Sequence, residues 1–180
     1  LIAAARAAQL SAAPFKEPGA IKLIAPAKVN LFLDIGERRA DGYHEAVSIM
    51  HALTLRDVLH MSVAPQRAGG LDIDLAGVAP GGLPPLDVPT ERNIVSKAVR
   101  ALARRIGRNE AEVVTVRLEK HIPSEAGLGG GSSDAAAALA GAAYMWGLAS
   151  DDPRIEEVAR ELGADVAFFL HGGCACFDGV

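Results

Sequence analysis

A chain of 180 residues is long enough for one domain with a sizeable core and little more. Half of the residues are hydrophobic and 22% are charged, which excludes a disordered chain, and a net charge of −4 leaves no basic footprint for nucleic acid. Only two cysteines occur, Cys174 and Cys176, too few for a disulfide scaffold or a cysteine metal site; on a strand they share a face, and packed thiols in a reducing cytoplasm are the reading that fits.

Residues 1–20 are alanine-rich, with no acidic residue before Glu17. They lack the long apolar core of a secretion signal and are too short and mixed to cross a membrane. They read as a disordered or non-native extension, with a cleaved organelle-targeting peptide as the lesser alternative, and the domain proper is expected over 21–180. From 21 to 35 apolar and β-branched residues come in patches, with Val29, Leu31 and Leu33 alternating against Asn30, Phe32 and Asp34. That pattern predicts a strand covered on part of both faces. Arg38-Arg39-Ala40-Asp41-Gly42 supplies turn chemistry, and 45–55 resumes an extended apolar course, so a long β-hairpin with a charged tip is expected. Further strands are predicted at 58–63 and 71–75, and the glycine- and proline-rich piece 77–89 reads as a surface loop.

Thr90 is read as a helix start, because Ile94, Val95, Ala98, Ala101 and Leu102 recur at helical spacing. Residues 113–118 alternate as a strand and lead directly into Lys120-His121-Ile122-Pro123-Ser124-Glu125-Ala126-Gly127-Leu128-Gly129-Gly130-Gly131-Ser132-Ser133-Asp134. Four glycines in the five positions 127–131 permit positive φ and leave no side chains between backbone and ligand. The alanines that follow are strong helix formers, so the loop opens a helix whose N–H groups and dipole favour an anion. A capped flexible turn is the plain alternative, but so strong a helix directly abutting glycines argues for a phosphate-binding loop. Ser132 and Ser133 stand where hydroxyls can meet a phosphate oxygen or a magnesium ion. The spacing is neither that of a Walker loop, which needs a lysine where Ser132 stands, nor that of a Rossmann fingerprint.

Beyond the alanine-rich helix, Asp152-Pro153 reads as N-cap and first helical residue, with Ile155, Val158, Ala159 and Leu162 as the buried stripe and Gly163 as the stop. Asp165 then enters an apolar run through Leu170, and a strand is expected at 174–177. Two charged residues in apolar settings raise the question of chemistry. Lys28, inside the first strand, either snorkels to the surface, which is the commoner outcome, or points its ammonium into a site. Asp165 either caps a short helix or is held in a cleft as a general base.

The Pro-x-x-x-Gly-Leu-Gly-Gly-Gly-Ser-Ser loop starting at Pro123 resembles that of the galactokinase, homoserine kinase, mevalonate kinase and phosphomevalonate kinase superfamily, the GHMP kinases. Pro26 to Leu31 and Leu162-Gly163-Ala164-Asp165-Val166 fall in the order and rough spacing of the other motifs of that superfamily. Arg39-Ala40-Asp41-Gly42-Tyr43-His44 is similar to one branch of it, the kinases of 4-diphosphocytidyl-2-C-methyl-D-erythritol in the non-mevalonate isoprenoid route. The resemblance implies an α+β fold like ribosomal protein S5 domain 2, a mixed sheet with a long hairpin and helices packed mainly on one face. It implies ATP and Mg2+ as cofactors and phosphorylation of the 2-hydroxyl of the cytidine diphosphate-linked substrate. By the same resemblance Asp165 takes the proton from that hydroxyl and Lys28 holds the developing charge. Gly127, Leu128, Gly129, Gly130, Gly131, Ser132 and Ser133 hold the nucleotide, with Asn93 on the adenine side; Tyr43 stacks on cytosine, His44 hydrogen-bonds it and Asn30 helps to place the substrate. No protein metal ligand is assigned, since His51, His60, His121 and His171 are scattered without metal spacing. Members of the superfamily continue into a second lobe that nothing here matches, so the expectation is an N-terminal ATP-binding lobe alone.

Overall fold

The computed structural model describes residues 11–12, 20–38, 44–79 and 88–178. Among them six strands form one mixed sheet, with four α-helices and a 3-10 turn. The strands are β1 (Ser11–Ala12), β2 (Ile21–Arg38), β3 (His44–Pro65), β4 (Leu71–Val78), β5 (Glu112–Glu119) and β6 (Cys174–Asp178). The sheet runs β1-β2-β3-β5-β4, antiparallel except for the parallel β4–β5 pair, and β6 joins the outer half of β3. Val47 to His51 of β3 pair with β6 and Val58 to Pro65 pair with β5, so these two strands lie along the same edge of β3 one after the other.

The long hairpin expected from the alternation is present, and the two strands predicted at 45–55 and 58–63 are one strand of 22 residues. What separated them in the sequence was Arg56-Asp57, which looks like turn chemistry; Asp57 is in fact fully buried. Pairing of β2 with β3 slips between Pro26 and Lys28, where Pro26 faces Arg56 and Lys28 faces Ala52. Such a bulge re-aims a strand locally. Here it carries Lys28, whose backbone N–H donates to the carbonyl of Leu128 at 2.9 Å, so the glycine loop is attached to β2 at that point.

The inner face of the sheet is apolar at alternate positions, as Leu23, Ala25, Leu59, Met61, Val114, Val116 and Leu118, all buried. Helix α1 (Ile94–Ile106), α2 (Gly130–Met145), α3 (Pro153–Leu162) and α4 (Ala164–His171) make up the second layer. Helix α2 is its centre, buried from Ser133 to Leu139 and packed against β2, β3, α1, α3 and α4. It lies so close to the sheet that a Cβ on Gly141 would stand 2.8 Å from both Leu23 and Met61. The α+β architecture implied by the resemblance is therefore the one observed.

Several expectations need correction. The helix does not start at Thr90; Thr90–Arg92 is a 3-10 turn, and Asn93 is the cap of α1, its Oδ1 accepting from the N–H of Val95 at 2.9 Å. The outer hairpin is not covered on both faces, for residues 31–36 are all exposed, because the helical layer reaches only the base of the hairpin. The thiols of Cys174 and Cys176 share a face as expected but are exposed and free, not packed. Asp152 and Pro153 open α3 as read, and Gly163 ends it. The surface loop read at 77–89 has its first two residues in β4, while 80–87, the hairpin tip 39–43 and most of 1–20 lie outside the described residues. No described helix is long and apolar enough to cross a membrane.

Candidate active site

Strand β5 delivers the chain at Lys120 to a loop whose backbone alternates in hand. Glu125 (φ 59), Gly127 (φ 72) and Gly129 (φ 70) are left-handed, while Ala126 and Leu128 between them are not. Alternation of this kind turns successive N–H groups toward one point and makes an anion-binding concavity. Glycine accepts it without cost; Glu125 does not, and a non-glycine residue in this region marks strain that the surroundings must hold. Gly129 is also the N-cap of α2, so the concavity runs into the helix N-terminus, where the unpaired N–H groups of Gly130 and Gly131 and the helix dipole add to it.

The loop walls a cleft of about 370 Å³. Gly127, Leu128, Gly129, Gly130, Gly131 and Ser132 line it, facing Asn93, Ile94 and Arg92 from the start of α1. Asn93 spends its oxygen on capping α1, which leaves its NH2 for a ligand. Ser133, expected beside Ser132, is buried instead and does not reach the cleft wall; its hydroxyl has no partner among the described residues. Those residues contain no cluster of three or more His, Cys, Asp or Glu able to hold a metal. Magnesium carried by nucleotide phosphates asks for few protein ligands, and Ser132 and Glu125 put hard oxygen donors on the wall.

Lys28 does not snorkel. It is buried, and its ammonium donates to Asn30 Oδ1 at 2.7 Å and stands 3.7 Å from Asp165 Oδ2. Asp165, in the first turn of α4, keeps 39% of its side chain exposed, so one of the two is held and the other is open to a substrate. Gly129 joins both to the loop: a Cβ there would come within 3.1 Å of Lys28 Cγ and 2.9 Å of the Phe169 ring, one turn beyond Asp165 on α4. The two candidate catalytic residues, 137 positions apart in sequence, thus meet at the N-terminus of α2. Asn30 is exposed beside them; Tyr43 lies outside the described residues, and His44 opens β3 opposite Arg38.

Sequence reading missed a second buried ionic group, at the two ends of the loop, and two of its members, Lys120 and Asp134, also border the cleft. Asp57 of β3 accepts from the N–H groups of His121 and Ile122, at 2.5 and 2.8 Å, and from the ammonium of Lys120. Lys120 also donates to Asp134 Oδ2 at 2.8 Å, and all three side chains are buried. Burial pushes the Asp134 carboxyl up to about 8, the attraction of Lys120 opposing and the charge of Asp57 reinforcing the shift. Burial works against charge on Lys120, yet Asp134 and Asp57 outweigh it and hold the ammonium's pKa above its ordinary value. One cation cannot neutralise two carboxylates, and a proton on Asp134 makes the group neutral.

Known proteins resemble this chain in sequence and in fold. Residues 93–173 match the family described as GHMP kinases N terminal domain. The 4-diphosphocytidyl-2-C-methyl-D-erythritol kinase of Mycolicibacterium gilvum is 39% identical over 157 residues, 87% of this chain and 46% of that protein. The kinase of the same name from Nocardia farcinica is 41% identical over 159 residues, 88% of this chain and 48% of the other. A crystal structure of a 4-(cytidine 5'-diphospho)-2C-methyl-D-erythritol kinase superposes with a TM-score of 0.64 at 38% identity, over 88% of this chain and 52% of that one. A homoserine kinase from Cytophaga hutchinsonii follows the same path, with a TM-score of 0.61 at 21% identity over 92% of this chain and 50% of its own, which speaks to the fold alone. The chain spans about half the length of the curated relatives it matches. Identity near 40% across nearly the whole chain says more than shared shape, and with the family match over loop and helices it places this chain among the GHMP kinases.

Proposed function

We propose that this chain is the ATP-binding lobe, over 21–180, of an ATP-dependent kinase that phosphorylates the 2-hydroxyl of 4-diphosphocytidyl-2-C-methyl-D-erythritol for isoprenoid synthesis in the cytoplasm. The observation that carries the proposal is the meeting of Lys28 and Asp165 at the N-terminus of α2, beside a loop whose backbone alternates in hand. Phosphoryl transfer asks a protein mainly for positioning and for stabilisation of charge on the phosphoryl oxygens. The loop amides and the α2 N-terminus receive the phosphates, and Asn93 takes the adenine side. Half-exposed Asp165 accepts the proton of the attacking hydroxyl. Lys28 supplies positive charge next to that oxygen and keeps Asp165 oriented, while Asn30 fixes the ammonium and helps to place the substrate. Magnesium, bound with the nucleotide near Ser132 and Glu125, would screen the phosphate charge. The substrate assignment draws on the names of the relatives and on Tyr43-His44 at the hairpin tip, an aromatic ring to stack on cytosine and an imidazole to bond its edge.

The test is steady-state kinetics of the full-length protein with the cytidine-linked alcohol varied at saturating ATP and ADP release as readout. Turnover is expected with this alcohol and not with homoserine or mevalonate. Tyr43→Ala is expected to raise the KM for the alcohol about ten- to hundredfold, the equivalent of about 1–3 kcal/mol of lost base stacking, with kcat falling less. Tyr43→Phe should be nearly neutral. Turnover of homoserine or mevalonate in place of the cytidine-linked alcohol would defeat the substrate assignment.

A further inference from the structure

We infer that Asp57, Lys120 and Asp134 are positioning residues that hold the nucleotide loop in its receiving conformation before the nucleotide arrives, an inference that depends on the nucleotide reading of the cleft. The loop between Lys120 and Asp134 leaves the sheet at one end and enters α2 at the other, and Lys120 joins those ends by a single side chain. Asp57 fixes the join to the middle of β3, and its other oxygen takes the two N–H groups that follow Lys120. These amides would otherwise be unpaired where the strand ends. Ile122, buried beside them, wedges under the start of α2. A Cβ on Gly130 would stand 3.0 Å from Ile122 Cγ2 and 3.3 Å from the Lys120 ammonium, so glycine is needed there to let the clamp pass.

The cluster is a poor device for stability alone. A carboxylate and an ammonium out of water cost several kcal/mol each, a second carboxyl is buried with them, and well-packed apolar side chains in such places are often as stable or more so. What apolar side chains cannot do is accept two specific N–H groups and bridge two chain ends at fixed length. The strained residue Glu125 (φ 59) lies in the segment so closed, and strain of that kind persists only where the surroundings over-determine the backbone. A loop released from the clamp spreads over other conformers, and apparent affinity falls in proportion to the competent fraction. If that fraction drops to about a tenth, nucleotide affinity drops about tenfold, while a bound nucleotide reacts at nearly the same rate.

The experiment is calorimetric binding of ADP to the full-length protein, paired with kinetics in ATP, for the wild type, Asp134→Leu, Asp134→Asn and Lys120→Met. Asp134→Leu keeps the bulk and loses the acceptor, and is expected to weaken ADP and raise the KM for ATP about tenfold, with kcat changed less than about threefold. Asp134→Asn still offers an oxygen to Lys120 and recovers most of the affinity. Lys120→Met leaves the Asp57 carboxylate without its cation and, where it folds, behaves at least as badly as Asp134→Leu; should it fail to fold, the two Asp134 variants decide. Wild-type ADP affinity in a folded Asp134→Leu, or equal losses in Asp134→Leu and Asp134→Asn, overturns the inference while leaving the nucleotide reading intact. A wild type that binds no ADP overturns both.

Discussion

The glycine loop has a buried lysine at each end, and the two are employed in opposite ways. Lys28 stands 3.7 Å from a carboxylate that is 39% exposed, and its closest bond, at 2.7 Å, is to a neutral amide. Lys120 is clasped between two buried carboxylates, one of them at 2.8 Å. A loosely held charge beside an open carboxylate can transfer its attention to a substrate oxygen as charge develops there. A charge enclosed by two carboxyl groups, though it borders the cleft, has its bonds committed to them, and what it does is fix the geometry of what it joins. On the function and the inference proposed above, the same residue type, at the same depth, serves chemistry at one end of the loop and architecture at the other, and the difference lies in how completely its partners are committed to it.

The largest expected effect comes from breaking the open end. Asp165→Asn in the full-length protein removes the proton acceptor while keeping shape, and kcat should fall about 10²–10⁴-fold with ADP affinity little changed. Calorimetry and single-turnover kinetics separate the two, and a near-normal kcat removes Asp165 from the role of base.

A smaller effect distinguishes the glycines that connect the two ends. Gly129→Val does more than block a phosphate, since a side chain there runs into Phe169 and Lys28 as well as resisting φ of 70. It should abolish ADP binding and also displace α4, lowering the melting temperature. Gly127→Ala is the cleaner probe: φ is 72, but nothing stands within 4 Å of the added Cβ. It should cost about 1–2 kcal/mol of loop strain, seen as up to roughly a fivefold to thirtyfold loss of ADP affinity if the strain is relieved by leaving the receiving conformation. Melting temperature should stay near that of the wild type, and unchanged ADP affinity would show that the hand of the backbone at 127 does not matter.

How much of this was readable from the chain follows the same division. The open end could be found, because the motifs around Lys28 and Asp165 each sit in short, distinctive stretches, and the glycine loop announces its own backbone. The closed end could not. Asp57 and Lys120 are 63 positions apart, and although Lys120 opens the stretch that holds the glycines, nothing in it points to Asp57; an Arg-Asp pair between two apolar runs is read as a break, when in fact the strand continues through it with the aspartate buried. Helix α4, offered only as one of two readings of Asp165, was left undecided for a different reason. Residues 166–170 are apolar throughout and buried on every side, so they carry no period to tell helix from strand. The start of α1 was missed by local competition, Thr90 and Asn93 both being good caps, and the 3-10 turn between them took the first.

The last effect expected is one of pH, and it isolates the closed end. Asp134 has a folded-state pKa of about 8 against an ordinary value of 3.8, first because it is buried, with the attraction of Lys120 opposing the rise and the charge of Asp57 adding to it. Between those two pH values the folded protein holds a proton that the unfolded chain has released. The stability this contributes is therefore complete below about pH 4, declines as pH rises, and is gone once pH has passed through about 8, with no further loss above. Asp134→Asn has no such proton, and the charges that act on residue 134, Lys120 and Asp57, are the same in both proteins, as are all other titrations to first order. The difference in melting temperature between wild type and Asp134→Asn should therefore drift by several degrees in favour of the variant from pH 5 to about 8, then level off. Thermal melts of the two proteins in matched buffers at constant ionic strength give this difference directly. A difference that stays flat from pH 5 to 9 would mean that Asp134 is ionised throughout, with Lys120 shared evenly between two charged carboxylates.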